Sequence, residues 1–322
     1  MKTRLISGTI FIIVLVLAFV LKAFASNYFF DALILGVACI ASFEASKLFS
    51  KMGKYNDKYM ATIFPCVLMG TLLYCISADA KIGLLYTIII SVGVMVVCFG
   101  ATFAIPFLTY KKTQKEIQTR GLDNPSVAKY AIVKALNTAM TFIYPAFLLM
   151  FLTLINHFEN MPTTFPSLEG FGGNISLFVL IFAFLIPIIS DTFAYLMGGL
   201  IGGKKLAPKI SPKKTISGAV GGFVWCVIIS VAMFFIFNAI PAMSTLLVDA
   251  GITVWKVAII SGVGSIVGQC GDLFESYIKR QANVKDSGKI MPGHGGLLDR
   301  FDSHILVAPV VFIAFCIIFL VI

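Results

Sequence analysis

Between Gly271 and Ser303 the chain reads GDLFESYIKRQANVKDSGKIMPGHGGLLDRFDS, with five acidic side chains, five Lys or Arg and one His in a sequence otherwise dominated by apolar residues. Asp272 and Glu275 are three apart, and Asp299 and Asp302 repeat the interval, which in a helix puts each pair on one face. Hard divalent cations such as magnesium take oxygen ligands, typically one or two carboxylates, with substrate phosphates completing the shell. Acids converging from two helix ends suit that chemistry. Lys279, Arg280, Lys285, Lys289 and Arg300 would then neutralise the phosphate charge that a metal leaves over. Pro292, Gly293, Gly295 and Gly296 let the connection turn sharply and approach a ligand closely. His294, flanked by glycines and poorly placed for core packing, reads as a general acid, a metal ligand or a donor to phosphate.

A second charged stretch, Ser190 to Gly222, holds one acid, Asp191, and five lysines. Asp191 falls late in an apolar helix, where an unpaired carboxylate is costly. It reads either as the partner of a loop lysine or as a ligand for a cation or phosphate. Gly198 to Lys205, GGLIGGKK, is nearly a P-loop, but an apolar helix precedes it and Lys205 stands where a magnesium-binding Ser or Thr is needed. The P-loop is therefore rejected. What survives is that glycines free the backbone and lysines offer compact charges suited to phosphate, with Ser211, Pro212, Lys214 and Thr215 extending the set. Lysines beside a membrane also serve simply as cytoplasmic anchors or anionic-lipid contacts. Neither role calls for a nucleic-acid partner.

A charged side chain at mid-bilayer costs about 2.5–3.5 kcal/mol on insertion scales, so both stretches must line an aqueous cavity or lie at an interface. The elements around them are membrane spans. Of 322 residues 59% are hydrophobic and 12% charged, and the mean hydropathy is +0.96. No soluble domain has this composition. A hydrocarbon core about 30 Å thick asks for about 20 apolar residues per helix. Such runs predict an all-α polytopic membrane protein with nine spans, at 5–25, 28–48, 60–78, 83–108, 131–155, 174–197, 218–243, 252–272 and 305–322.

The basic residues orient the chain. Lys2 and Arg4; Lys47, Lys51, Lys54 and Lys58; Lys111, Lys112, Lys115, Arg120 and Lys129; Lys204, Lys205, Lys209, Lys213 and Lys214; and Lys279, Arg280, Lys285, Lys289 and Arg300 fall on alternate loops and make up 21 of the 25 Lys and Arg. The intervening loops carry Asp79, Glu159, Glu169 and Asp249 against Lys22, Lys81 and Lys256. Cytoplasmic loops are enriched in Lys and Arg, so the N-terminus is expected in the cytoplasm, the C-terminus outside, and the net charge of +10 facing inward. The opening residues through Ala25 also resemble a signal peptide with an AFA cleavage site, but the length of the apolar run favours a first span. One membrane domain, 1–322, is the economical division, with 1–155 as N-terminal spans and a lipid-access region and 174–322 as the catalytic part. The seven cysteines have no CxxC pairing and read as small apolar packers. Gly264 and Gly268 form a small-xxx-small pair for close helix packing. His157 and His304 read as structural.

Ser276, Lys279, Arg280, Lys285, Asp286, Gly288, Pro292, His294, Gly295, Gly296, Asp299, Arg300 and Asp302 fit SxxKRxxxxKDxGxxxPxHGGxxDRxD, thirteen positions over 27 residues. This resembles the signature of phosphatidate cytidylyltransferases, also called CDP-diacylglycerol synthases. Upstream, Asp191, Ala194, Tyr195, Gly198, Gly202, Lys205, Leu206, Pro208, Ser211, Pro212, Lys214, Thr215 and Gly218 are similar to the family's DxxAYxxGxxxGKxKLxPxISPxKTxEG. Gly203 departs where a lysine is usual, and Ser217 where an acid or amide is usual. The match covers residues 190 to 303; the first five spans agree only in character.

The resemblance implies transfer of a cytidylyl group from CTP to phosphatidate, giving CDP-diacylglycerol and pyrophosphate, with magnesium required and room for a second metal ion. It also implies a homodimer with a polar cavity open to the cytoplasm, in a bacterial inner or plasma membrane. Asp272 and Asp299 carry over as metal ligands, with Asp302 joining them and Asp286 in support. Lys279, Arg280 and the Lys205 to Lys214 group, with Asp191, Tyr195, Ser211, Thr215, Lys285 and Arg300, would bind phosphates of either substrate. A phosphate monoester is largely dianionic near neutral pH, its second pKa being about 6, so the lipid phosphate needs no strong base to act as nucleophile. The rivals are a CTP-dependent lipid kinase, a cytidylyltransferase for another polyprenyl or ether lipid, and an ion-coupled transporter.

Overall fold

A computed structural model describes residues 2–119, 126–161, 163–165, 168, 174–293 and 295–321. The described residues contain nine helical segments long and apolar enough to cross a membrane, the number expected. Eight are the helices α1 (Lys2–Phe24), α2 (Asn27–Lys51), α3 (Lys58–Ser77), α4 (Asp79–Leu108), α8 (Asn174–Ile201), α9 (Ile216–Asn238), α11 (Val254–Gln281) and α12 (Leu298–Val321). The remaining span is composite: α6 (Val127–Phe142) and α7 (Leu148–Asn156) are joined by a wider π-helical turn, Ile143–Phe147, at Pro145. Two shorter helices, α5 (Tyr110–Thr119) and α10 (Pro241–Asp249), lie between spans. Arg120 and Glu169, used above to orient the chain, fall outside the described residues.

Several helices outrun, at their charged ends, the apolar windows that announce them, whereas α9 stops at Asn238 rather than 243 because Pro241 opens the separate helix α10. α11 continues to Gln281 rather than stopping near 272, and α12 begins at Leu298 rather than near 305. Asp272, Glu275, Lys279, Asp299 and Asp302 therefore sit inside helices and not in the loop between them. Hydropathy falls where apolar residues end, but backbone hydrogen bonding continues through Glu, Lys, Arg and Gln, which are good helix formers. Asp299 in the first turn of α12 and Lys279 and Arg280 in the last turn of α11 also complement the helix dipoles.

The bundle is all-α as expected, with one small element outside it. Lys205–Ala207 (β1) and Ser211–Thr215 (β2) pair antiparallel as a small hairpin, with Lys205 opposite Thr215 and Ala207 opposite Ser211. Its Lys-rich strands and Pro212 carry little β propensity, which hides it from pattern reading.

Long-range bonds show which loops share an end of the bundle. The Ser7 hydroxyl donates to the Pro292 carbonyl at 3.0 Å, and Arg280 Nε donates to the Ile210 carbonyl at 3.1 Å. The start of the chain, the hairpin and the α11–α12 connection are thus together. At the other end Lys22 Nζ is buried against Asn27 Oδ1 (3.0 Å) and Ser176 Oγ (2.8 Å). There His157 Nε2 lies 2.7 Å from Asp31 Oδ2, which agrees with the structural reading of this histidine.

α8 packs along α9, and α11 packs along both α9 and α12. The close α11–α12 approach rests on small residues: a Cβ at Gly268 would lie 3.2 Å from Val307 Cγ2, and one at Gly271 would lie 2.7 Å from the Asp302 carbonyl oxygen. Gly264 faces Ile186 of α8 in the same manner.

Candidate active site

The pairing of α11 with α12 brings their acids together. Asp299, at the first turn of α12, receives Lys279 Nζ on Oδ1 at 2.7 Å. Its Oδ2 accepts from the backbone N–H of Ser287 (2.8 Å), the Ser287 hydroxyl (2.8 Å) and the backbone N–H of Gly296 (2.7 Å). One carboxylate so ties the end of α11 to the connection between the two helices. Lys279 also forms an ion pair with Glu275 one turn earlier, whose side chain is fully buried.

On the neighbouring face Asp272 Oδ2 meets Lys214 Nζ at 2.5 Å, bridging α11 to β2. Asp191 of α8 accepts from the Ser303 hydroxyl of α12 at 3.0 Å. Asp302 accepts on Oδ1 from the Ser303 backbone N–H at 2.8 Å. Asp191, Asp272 and Asp302 lie within electrostatic range of one another. Three helices thus contribute carboxylates to one half-buried site. Asp191 stands beside the other acids and within electrostatic range of Lys214, whose ion pair is with Asp272.

Among the described residues no three Asp, Glu, His or Cys side chains stand close enough to enclose a metal ion. The donor chemistry still suits a hard cation. Asp191, Asp272, Glu275, Asp299 and Asp302 outnumber the ammoniums of Lys214 and Lys279 that pair with them, and a surplus of carboxylates in a half-buried site favours a cation. Asp191, Asp272 and Asp302 retain acceptor capacity for it. Asp299 differs: to bind a cation directly it would have to release Lys279 or the loop donors on Oδ2.

The other candidate residues divide by location. Tyr195, Lys214 and Thr215 line a cavity of about 320 Å³ together with Asp191, Gln269 and Asp272. The Thr215 hydroxyl caps α9 by accepting from the Gly218 N–H at 3.1 Å. Lys205 is exposed on the hairpin, and Ser211 is half-buried on the facing strand. Lys285, Asp286 and Arg300 line a separate cavity of about 550 Å³ with Lys289 and Met291. Arg280 bridges elements, with Nε on Ile210 and Nη1 on the Val284 carbonyl at 3.4 Å. His294 lies outside the described residues. The two departures from the family pattern meet at one turn, where Gly202 and Gly203 have φ of +67° and +101°. A lysine at 203 would be strained there, and the Ser217 hydroxyl donates to the Gly202 carbonyl.

A third cavity, about 280 Å³, is apolar over most of its wall. Phe11, Ile12 and Leu15 of α1 face Phe184 and Ile188 of α8 across it, and Asp191 and Arg300 stand in the same lining. His304 is also in this wall, its ring 5.1 Å from that of Phe184 and 5.3 Å from that of Phe301, in keeping with a structural role.

Two residues from the first five spans reach the site without having been singled out. Tyr144, in the π-helical turn, is buried with a hydroxyl that has no partner among the described residues and lies within range of Glu275, Asp302, Asp272 and Asp299. Its ring packs edge-on against Phe274 of α11 at 4.8 Å. Glu44, in α2, accepts from the Leu298 N–H at 2.9 Å. A single tyrosine or glutamate in an apolar run has no spacing to read; the charge on Glu44 was the one available signal.

Among known proteins, the phosphatidate cytidylyltransferase of Staphylococcus haemolyticus is 44% identical over 133 residues, which are 41% of this chain and 47% of that protein. The proteins of the same name from Staphylococcus saprophyticus and Staphylococcus aureus are 46% and 45% identical over 133 residues, with the same coverage. These alignments span about half the length of the relatives. The model of the cytidylyltransferase family is matched by residues 2–318, nearly the full bundle from α1 to α12, and the chain belongs to that family.

Proposed function

We propose that the protein transfers the cytidylyl group of CTP to phosphatidate, releasing pyrophosphate and leaving CDP-diacylglycerol in the membrane. One observation carries this reading: Asp191 is shared by two cavities that carry different groups. One gathers Lys213, Lys214, Thr215 and Asp272 in its lining. The other lies between α1 and α8, is walled by Phe11, Ile12, Leu15, Phe184 and Ile188, and carries Arg300. A soluble polyphosphate and a lipid phosphate would meet at that common residue. Membership of the cytidylyltransferase family and the names of the staphylococcal relatives support the same reaction.

In this reaction an oxygen of the lipid phosphate attacks the α-phosphorus of CTP, the bond from that phosphorus to the α,β-bridging oxygen breaks, and pyrophosphate departs with the electron pair. The nucleophile is already anionic, so the difficulty is to bring two polyanions together. Positioning and charge neutralisation supply most of the catalysis in phosphoryl-type transfers. Lys214 and Lys213 would hold CTP phosphates, and Arg300 the lipid phosphate at the polar end of the groove. Lys279, fixed between Glu275 and Asp299, keeps one ammonium beside the acids. Magnesium would be held by Asp272 and Asp302 together with substrate phosphates, and when bound would offset charge on CTP and on the departing pyrophosphate. Asp299 would organise the turn around these groups.

The distribution of basic residues supports an inward-facing site, with the N-terminus cytoplasmic and the C-terminus outside, and the staphylococcal relatives support a bacterial plasma membrane. The family resemblance supports a homodimer. Purified protein incubated with CTP, phosphatidate and magnesium is expected to yield CDP-diacylglycerol and pyrophosphate by liquid-chromatography mass spectrometry. A phosphorylated lipid with CDP, or no lipid product at all, would overturn the reading.

A further inference from the structure

Glu44 lies within α2, is 1% exposed, and plays no part in the reaction described above. Its Oε2 accepts from the backbone N–H of Leu298, the first residue of α12, at 2.9 Å. The Ser287 hydroxyl lies 3.3 Å from the same oxygen and 2.8 Å from Asp299 Oδ2, so one proton is shared between two carboxylates. A Cβ built on Gly288 or on Gly296 would collide with the Glu44 carboxylate. The α11–α12 connection is therefore shaped around this side chain, with glycine at the two places where α2 presses into it. Asp299 grips the same residues through the N–H groups of Ser287 and Gly296.

A buried carboxylate in a membrane helix is expensive, and a merely apolar contact would serve packing better. Among the described residues the hydrogen bonds of Glu44 run to the segment that holds Asp299, and Asp299 in turn holds Lys279. We infer that Glu44 is a positioning residue for the transfer reaction: from the N-terminal half of the bundle it fixes the 287–298 turn, and through that turn the placement of Asp299 and Lys279. The inference rests on the proposed cytidylyl transfer for its kinetic consequence, but not for the anchoring itself.

The test uses the full chain in lipid nanodiscs, with Glu44→Gln, Ser287→Ala and the double variant. Glu44→Gln keeps the shape and one acceptor oxygen, and its kcat is expected to fall about tenfold while KM for CTP and for phosphatidate stays within about twofold. The double variant is expected to lose little more than the single ones, because both act through one turn; independent effects would multiply. Amide exchange over 284–298 should quicken in Glu44→Gln with the melting temperature near that of the parent. Unchanged kcat, multiplicative losses, or a fall in activity matched by loss of folded protein would each overturn the inference. If the parent chain makes no CDP-lipid, the reading of function fails, and the exchange measurement still decides whether Glu44 anchors the turn.

Discussion

Two aspartates that look equivalent in sequence do different work. Asp272 is partly open, with its side chain 25% exposed, and bonds one lysine from the hairpin. Asp299 is 6% exposed and meets Lys279 and the loop donors. Asp272→Asn should therefore leave the melting temperature nearly unchanged while lowering kcat roughly a hundredfold or more, the scale seen when one group aimed at transition-state charge is removed. Asp299→Asn should lose both activity and stability, about 3 kcal/mol, because it leaves Lys279 with Glu275 alone and loosens the turn. Thermal melting and steady-state kinetics on the same preparations check the contrast. The acids and lysines were legible in sequence because charge is conspicuous against an apolar background. Their division of labour was not, since spacing of three says which side chains share a face but not which donors will surround them. Glu44 and Tyr144 escaped for the converse reason, each being solitary in its span.

At the scale of elements, the site depends on how closely α11 and α12 approach. Gly271→Ala would place a methyl 2.7 Å from the Asp302 carbonyl oxygen as the helices now stand, so one helix must move. Overpacking of this kind typically costs about 1–3 kcal/mol. The variant should melt earlier and lose turnover through displaced carboxylates; unchanged activity would show that the approach is not needed. The glycine spacing in α11 announced close packing, and the apolar runs announced all nine spans. The ends of α8, α11 and α12 were underestimated because a hydropathy window reports burial in hydrocarbon rather than continuity of backbone bonding. The β1–β2 hairpin stayed hidden because its pairing is local and its residues are ones that sheets usually avoid. What holds it in place is tertiary: Lys214 on Asp272, and the turn carbonyl of Ile210 on Arg280.

Across the whole molecule, the first five spans lacked an assigned purpose beyond embedding the domain and forming a lipid-access region. α1 now forms one wall of the apolar groove, α2 sends Glu44 to the connection, and the π-helical turn sends Tyr144 toward the acids. Filling the groove tests the lipid route. Ile188→Trp should raise KM for phosphatidate several-fold and leave KM for CTP nearly unchanged, measured with lipid in mixed micelles; equal effects on both would place the lipid elsewhere. The groove could not be read from sequence because its walls come from helices more than 150 residues apart, and the residues of α1 that build it look like any others facing hydrocarbon.

The shared wall at Asp191 has a further consequence for traffic through the protein. Under the proposed reaction the product is a lipid whose head is a nucleotide, so it straddles both cavities at once. While it stays, neither reactant can reload. Pyrophosphate can leave past Lys213 and Lys214, but the joined product must draw its cytidine head past Asp191 toward the bilayer. One side chain would then act as a turnstile, making each departure the condition for the next arrival.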